Sequence, residues 1–359
     1  MNGIRKTMTP TLQTIPVSIA IRTSFKHHSV DSGYKQILKY TRPLFTIGID
    51  EPNPKKGSPI FRKYKFLYEF YAKFLALTHK VDVIHILYAE EYFRFSARLF
   101  RKTPVVVTFH QPAAILEREI NHGDPMGRMM KYAHQLNKRR FNNISAAIVL
   151  TEAQKSVLEK VMDASKIHVL PLGFNFKKLN VVKQQSSITR ENIVLTVGDW
   201  QRDWDFYFEF VQYAAHAQKD WKFILINRKL SKEHKALCDS LPNLDYLSDV
   251  NDNELYNHYL GAKVQFLPFK SATGNNSLNE GLTLGCCVVS NFLDTKLKKS
   301  GFAFEERLDT AQIAAKIKEI FELSPTAYEE ISARATSFAS NYDWEEIAGQ
   351  TINIYKTVI

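Results

Sequence analysis

Three cysteines in 359 residues, two of them adjacent, are too few for a disulfide framework and lack the spacing of a metal site. No apolar run approaches the length of a membrane span. The N-terminus lacks the long apolar core of a signal peptide. Acids are in short supply too, with 37 Asp and Glu against 48 Lys and Arg, a net charge of +11. These shortages argue against a disulfide-stapled secreted domain and an integral membrane protein, and the expected compartment is a reducing cytoplasm. The hydrophobic content of 45% supports globular folding, and the length suits two domains better than one core.

The positive charge is unevenly placed. Residues 1–180 carry +16 and residues 181–359 carry −5. A basic first half implies an anionic partner: nucleic acid, anionic lipid or a phosphorylated substrate. No nucleic-acid motif stands in its expected context, so nucleic acid is not an expected partner.

Residues 271–289 organise the rest. They read as a strand end, a loop marked by Pro268 and Gly274, a short helix, a stop at Gly285 and a buried strand opening at Cys286. Asn276 or Ser277 caps the helix, leaving backbone N–H groups free at its first turn. Such a terminus attracts anions, phosphates above all. Glu280 lies about one turn further on, within reach of the same ligand. An ordinary capped helix in an α/β domain fits these residues as well.

Along the chain, strands are expected at 16–21, 81–87, 104–110, 146–151, 193–198, 221–227, 244–247 and 264–267. Helical patterns alternate with them, which implies parallel sheets. Gly33 marks a turn between the first strand and an amphipathic helix through Ile37 and Leu38, an arrangement that faces phosphates in doubly wound sheets. Residues 60–75 interleave Lys and Arg with aromatics, as a helix lying on an anionic membrane would, or one that packs its rings into a core. Arg128, Lys131, Lys138, Arg139 and Arg140 form a second basic stretch. Glu90 and Glu91 follow the strand at 81–87, and His110 ends the strand at 104–110. Gly198 closes another, and Arg202 follows it with a guanidinium suited to a diphosphate. Asp203 and Asp205 match the triplet of metal-dependent transferases. They read instead as acids favoured at a helix start.

Residues 272–289 resemble the donor-binding segment of the retaining glycosyltransferases of family 4. There a glutamate, seven residues and a second glutamate precede glycine and a proline–valine–valine strand. Glu280 matches the second glutamate, Gly285 the glycine and Val288-Val289 the strand. Ala272 stands in place of the first glutamate, and Cys287 replaces the proline. Residues 341–348 resemble the same family's aromatic-Trp-Glu start of a final helix. The likeness is specific over the second half and loose over the first.

The resemblance implies an α/β protein of the GT-B fold, with two Rossmann-like doubly wound domains facing a central cleft and a C-terminal helix crossing back to the first domain. It implies an acceptor domain at 1–176, a linker at 177–190, a nucleotide-sugar donor domain at 191–338 and the returning helix at 339–359. The expected reaction moves a sugar from a nucleotide-diphosphate sugar to a glycan or lipid-linked acceptor with retention, without metal or other cofactor. Glu280 would bind the ribose hydroxyls. Arg202 and the backbone at Asn275, Asn276 and Ser277 would hold the diphosphate, with Gly33 and Gly198 beside them. His110 would touch the donor sugar. Ala272 cannot replace the glutamate that contacts sugar hydroxyls in the family. A non-catalytic sugar-nucleotide-binding partner subunit and a sugar-nucleotide epimerase of this fold are the alternatives. The implied location is cytoplasmic, peripheral on the inner face of the membrane through the basic first domain.

Overall fold

The computed structural model describes residues 15–25, 33–52, 59–122, 141–293, 295–298, 300–307 and 309–359. Asp31 and Ser32, Pro54 and Gly57, and the basic stretch 128–140 lie outside them.

Two six-stranded parallel sheets form the framework. The first runs β2 (Phe45–Asp50), β1 (Ser18–Ser24), β3 (Val83–Ile86), β4 (Val105–Phe109), β5 (Ala146–Val149) and β6 (Ile167–Val169). The second runs β12 (Ala303–Glu305), β11 (Cys287–Ser290), β10 (Ala262–Leu267), β7 (Glu191–Val197), β8 (Lys222–Ile226) and β9 (Leu244–Leu247). Their central strands are apolar on both faces because helices cover both sides. Ile84, Ile86, Val105 and Val107 enter one core of the first domain, and Val83, Val106 and Ile148 enter another on the opposite face. Each sheet is doubly wound, with the strand order reversing between β1 and β3 in the first and between β7 and β10 in the second. Ligands of such sheets settle at the C-terminal strand ends flanking that reversal.

The chain crosses between the domains twice. Residues 170–175 lead out of the first domain, and the final helix Trp344–Val358 returns to it. The two crossings are stitched together: Phe174 N donates to Tyr342 O at 3.0 Å and Trp344 N to Phe174 O at 3.1 Å. Trp344 lies against Gly173, where a β-carbon would collide with its ring. Trp344, Ile347 and Ala348 complete the first domain's core. Further along the helix, Tyr355 Oη meets His85 Nδ1 at 2.6 Å, and the other ring nitrogen meets Thr108 Oγ1 at 2.7 Å. Burial, reinforced by His110, pushes the His85 pKa down to about 3, so the imidazole is neutral.

Several elements differ from the sequence reading. The polar segment after residue 176 is largely helical, Phe176–Gln185, and Leu179 packs it into the second domain. The pattern through Ile37 and Leu38 is a short 3-10 turn, Tyr34–Ile37, continued by one α-turn, Leu38–Thr41. Residues 60–75 fall on two helices, Pro59–Lys63 and Leu67–Thr78, with residues 64–66 between them. Among the described residues no helix is long and apolar enough to cross a membrane.

Candidate functional site

The helix Asn276–Thr283 begins at the C-terminal end of β10, on one side of the strand reversal. Its cap is Asn275, not Asn276 or Ser277: Asn275 Oδ1 accepts from Ser277 N at 3.0 Å and from Leu278 N at 3.4 Å. The correction is one residue, because the loop places Asn275 in extended backbone while Asn276 is already helical. Gly285 follows the helix at φ 85°.

Arg202 comes from the turn after β7 and is 4% exposed. Its Nη2 donates to Val197 O at 2.8 Å and to Ser277 Oγ at 2.9 Å. The guanidinium also stacks 4.4 Å from the Phe269 ring centre. It pairs with neither Asp203 nor Asp205. Asp203 caps the next helix by accepting from Phe206 N, and Asp205 pairs with His234 and Lys270. Burial lowers the Arg202 pKa to about 10, so the guanidinium stays charged at neutral pH. Its Nε is buried without a partner. Gly198, at φ 105°, lets the turn pass: a β-carbon there would sit 3.0 Å from Arg202 Nη2.

Glu280 lies one turn inside the helix with Oε2 3.1 Å from Tyr259 Oη. Burial first, and Asp252 second, raise its pKa to about 7 against the Tyr259 hydrogen bond. Tyr259 also donates to Ser277 O, and Gln265 Nε2 donates to the same carbonyl at 2.8 Å. A β-carbon on Gly281 would collide with Gln265, so helix and strand touch there.

These groups share one cleft of about 480 Å³ between the domains. Gly33, Gly198, Arg202, Asn275, Asn276, Ser277 and Glu280 all line it. His110 is not among the lining residues. It is packed 4.7 Å from Tyr34 and 4.6 Å from Tyr88 between ring centres, with Nε2 2.7 Å from Leu87 O. Its backbone N–H donates to Glu90, whose carboxyl is pushed up to about 7 by burial. Ala272 packs against the second domain's core and lines a separate cavity with Thr273.

Sequence reasoning missed part of the cleft: Asn227 and Arg228 after β8, Ser248, Val250 and Asp252 after β9, Lys178 on the linking helix, and Trp344. The rule that ligands gather at C-terminal strand ends points to the first two groups. Lys178 and Trp344 carry no such signal, since they arrive through the crossings.

The sequence profile described as Glycosyltransferase Family 4 matches residues 37–178. No curated protein sequence matches the chain. Among solved structures, a glycosyltransferase from Rickettsia africae ESF-5 has a TM-score of 0.66 at 15% identity, over 96% of this chain and 98% of that one. A sucrose-phosphate synthase from Thermosynechococcus elongatus has 0.65 at 14%, over 95% and 99%. A UDP-forming α,α-trehalose-phosphate synthase from Burkholderia vietnamiensis has 0.66 at 12%, over 96% and 100%. At these identities the likeness is one of fold, and the fold is GT-B. Fold and family profile together support a glycosyltransferase of the GT-B type.

Proposed function

We propose that the chain transfers a sugar from a nucleoside-diphosphate sugar to a hydroxyl of a glycan or lipid-linked acceptor, with retention of configuration. One observation carries the reading: a charged, almost fully buried Arg202 with an unpartnered Nε, braced against the capped start of the Asn276–Thr283 helix. A buried cation beside a helix N-terminus suits a diphosphate. Glu280, ionised, accepts from the ribose hydroxyls. The strand ends at Asn227 and Ser248 leave room for the base.

The bond from the anomeric carbon to the diphosphate breaks while the acceptor oxygen approaches from the same face. The acceptor proton passes to the departing diphosphate. Arg202 and the helix terminus stabilise the charge that develops there, which is the main source of rate. No divalent cation is required in this scheme. His110 stands behind the cleft, packed against the rings of Tyr34 and Tyr88.

The UDP-forming neighbour supports a nucleoside diphosphate as the product. The acceptor is assigned to the first domain, where Phe70, Tyr71, Phe74 and Leu77 form an exposed apolar face beside Lys73. Such a face suits a peripheral position on an anionic cytoplasmic membrane surface.

The test is a panel of sugar nucleotides, scored for hydrolysis and transfer, in the presence of chelator. Binding of a nucleoside diphosphate that is lost in Arg202→Ala supports the reading. Absence of binding across the panel overturns it, and strict dependence on a divalent cation overturns the metal-free scheme.

A further inference from the structure

A second cavity, of about 280 Å³, lies on the other side of the Gly274-Asn275 turn. Those two residues line both cavities, whereas Glu280, Asp252 and the ends of β8 and β9 belong to the first alone. A nucleotide with its ribose at Glu280 and its diphosphate at the helix start therefore directs its sugar past Gly274 and Asn275 into the second cavity. This step rests on the nucleotide reading given above.

The walls of that cavity are mostly carbon. Leu150 and Leu172 come from the first domain, and Phe269, Leu278, Phe292 and Leu297 from the second. Several polar side chains of the lining are engaged, mostly with backbone groups. Asn275 Oδ1 caps the helix, and Asn279 Nδ2 donates to Leu172 O at 3.1 Å. Thr151 Oγ1 accepts from Gln154 N at 3.2 Å, and Lys298 pairs with Glu305 at 2.8 Å. A hydroxyl pressed against the carbon of Phe269, Leu278 and Phe292 is left without a partner, while a methyl group gains from burial there.

We propose that this cavity receives the transferred sugar and selects one bearing a methyl group. The methyl is the C6 of a 6-deoxyhexose or the acetyl methyl of an N-acetylhexosamine. Selection acts through Phe292, Leu278 and Phe269 rather than through hydrogen bonds.

The test places a plain hexose, a 6-deoxyhexose and an N-acetylhexosamine on each of uridine, guanosine and thymidine diphosphate. Affinity and nucleoside diphosphate release are measured without added acceptor. On the base that the first cavity accepts, a methyl-bearing sugar is expected to exceed the plain hexose by about tenfold or more, the worth of one well-placed methyl. The two methyl-bearing arms separate the deoxy from the acetyl source. Phe292→Asn, at the cavity's partly exposed edge, should reduce that ratio at least threefold, and a ratio is insensitive to partial loss of folded protein. A plain hexose that equals or exceeds both others on every accepted base overturns the proposal while the nucleotide site stands. If none of the nucleoside diphosphates binds, the nucleotide reading falls and this proposal falls with it.

Discussion

Arg202 Nη2 donates to the Ser277 hydroxyl at 2.9 Å across 75 residues of sequence. That bond ties the turn after β7 to the first turn of the Asn276–Thr283 helix. The two sides of the strand reversal are thereby held in one geometry. The buried charge is thus a brace between the two sides of the cleft.

Arg202→Ala should therefore lower ligand affinity and stability together. Hydrogen bonds from a charged group are worth about 1.5–3 kcal/mol net, so a stability loss of about 3 kcal/mol is expected. Arg202→Lys restores the charge but not the planar fork and should recover affinity only in part. Urea denaturation and calorimetry with nucleoside diphosphates check both. An alanine variant with an unchanged midpoint would contradict the brace.

Glu280 titrates near pH 7 in the folded chain and near 4.5 when unperturbed. Between those values the folded state holds a proton that the unfolded state releases. The stability it carries is fully present below pH 4.5 and is lost as pH rises through 7, about 3 kcal/mol for a shift of this size. Glu280→Gln removes that loss. The variant should match the parent near pH 5, exceed it at pH 8.5, and bind nucleoside diphosphate at least tenfold more weakly at pH 8.5. Denaturation midpoints that differ equally at the two pH values would sink the assignment.

His85 makes the opposite contribution. Its pKa is about 3 in the folded chain and 6.5 when unperturbed, so its stability is present above 6.5 and lost as pH falls toward 3. Tyr355→Phe leaves Nδ1 without its partner and should cost about 1–3 kcal/mol. Thermal unfolding at pH 7 measures the cost, and limited proteolysis reports whether the Trp344–Val358 helix loosens. A variant as stable and as protease-resistant as the parent would show that the His85 bond is not a fastening.

Phe74 is 58% exposed and Leu77 72% exposed. Replacing both with Asp should change stability by less than about 0.5 kcal/mol per site, as surface changes usually do. Co-sedimentation with anionic vesicles should fall sharply, and salt should weaken what remains. Parent protein that ignores lipid charge and salt, or never sediments, favours a soluble acceptor.

Much of the fold is legible because central parallel strands announce themselves. Val105 to Val107 and Ala146 to Val149 are continuous apolar runs, since both faces are covered. β2 escaped notice because it is an edge strand whose residues are mostly half-buried and include Gly48. The anchor segment was readable as strand, loop and helix, but three adjacent capping residues hid which one caps. Tyr259 and Gln265 were invisible as partners of the site, because their contacts with Ser277 arise only when β10 and its flanking helices pack. Arg202 was found as a cation, yet its engagement with Val197 and Ser277 is a tertiary fact. The family profile falls on residues 37–178, where the sequence likeness was loose. The first domain spreads its signals over separate loops, while the second concentrates them in one segment.

The return of the final helix has a consequence for biosynthesis. The first domain is translated early, yet its hydrophobic interior lacks Trp344, Ile347 and Ala348 until the helix Trp344–Val358 has been made. His85 waits for a partner 270 residues downstream, a delay on the order of 10 to 50 seconds at about 5–20 residues per second. Throughout that interval the nascent domain presents an open apolar seam. The order of synthesis and the order of structural completion therefore run in opposite directions.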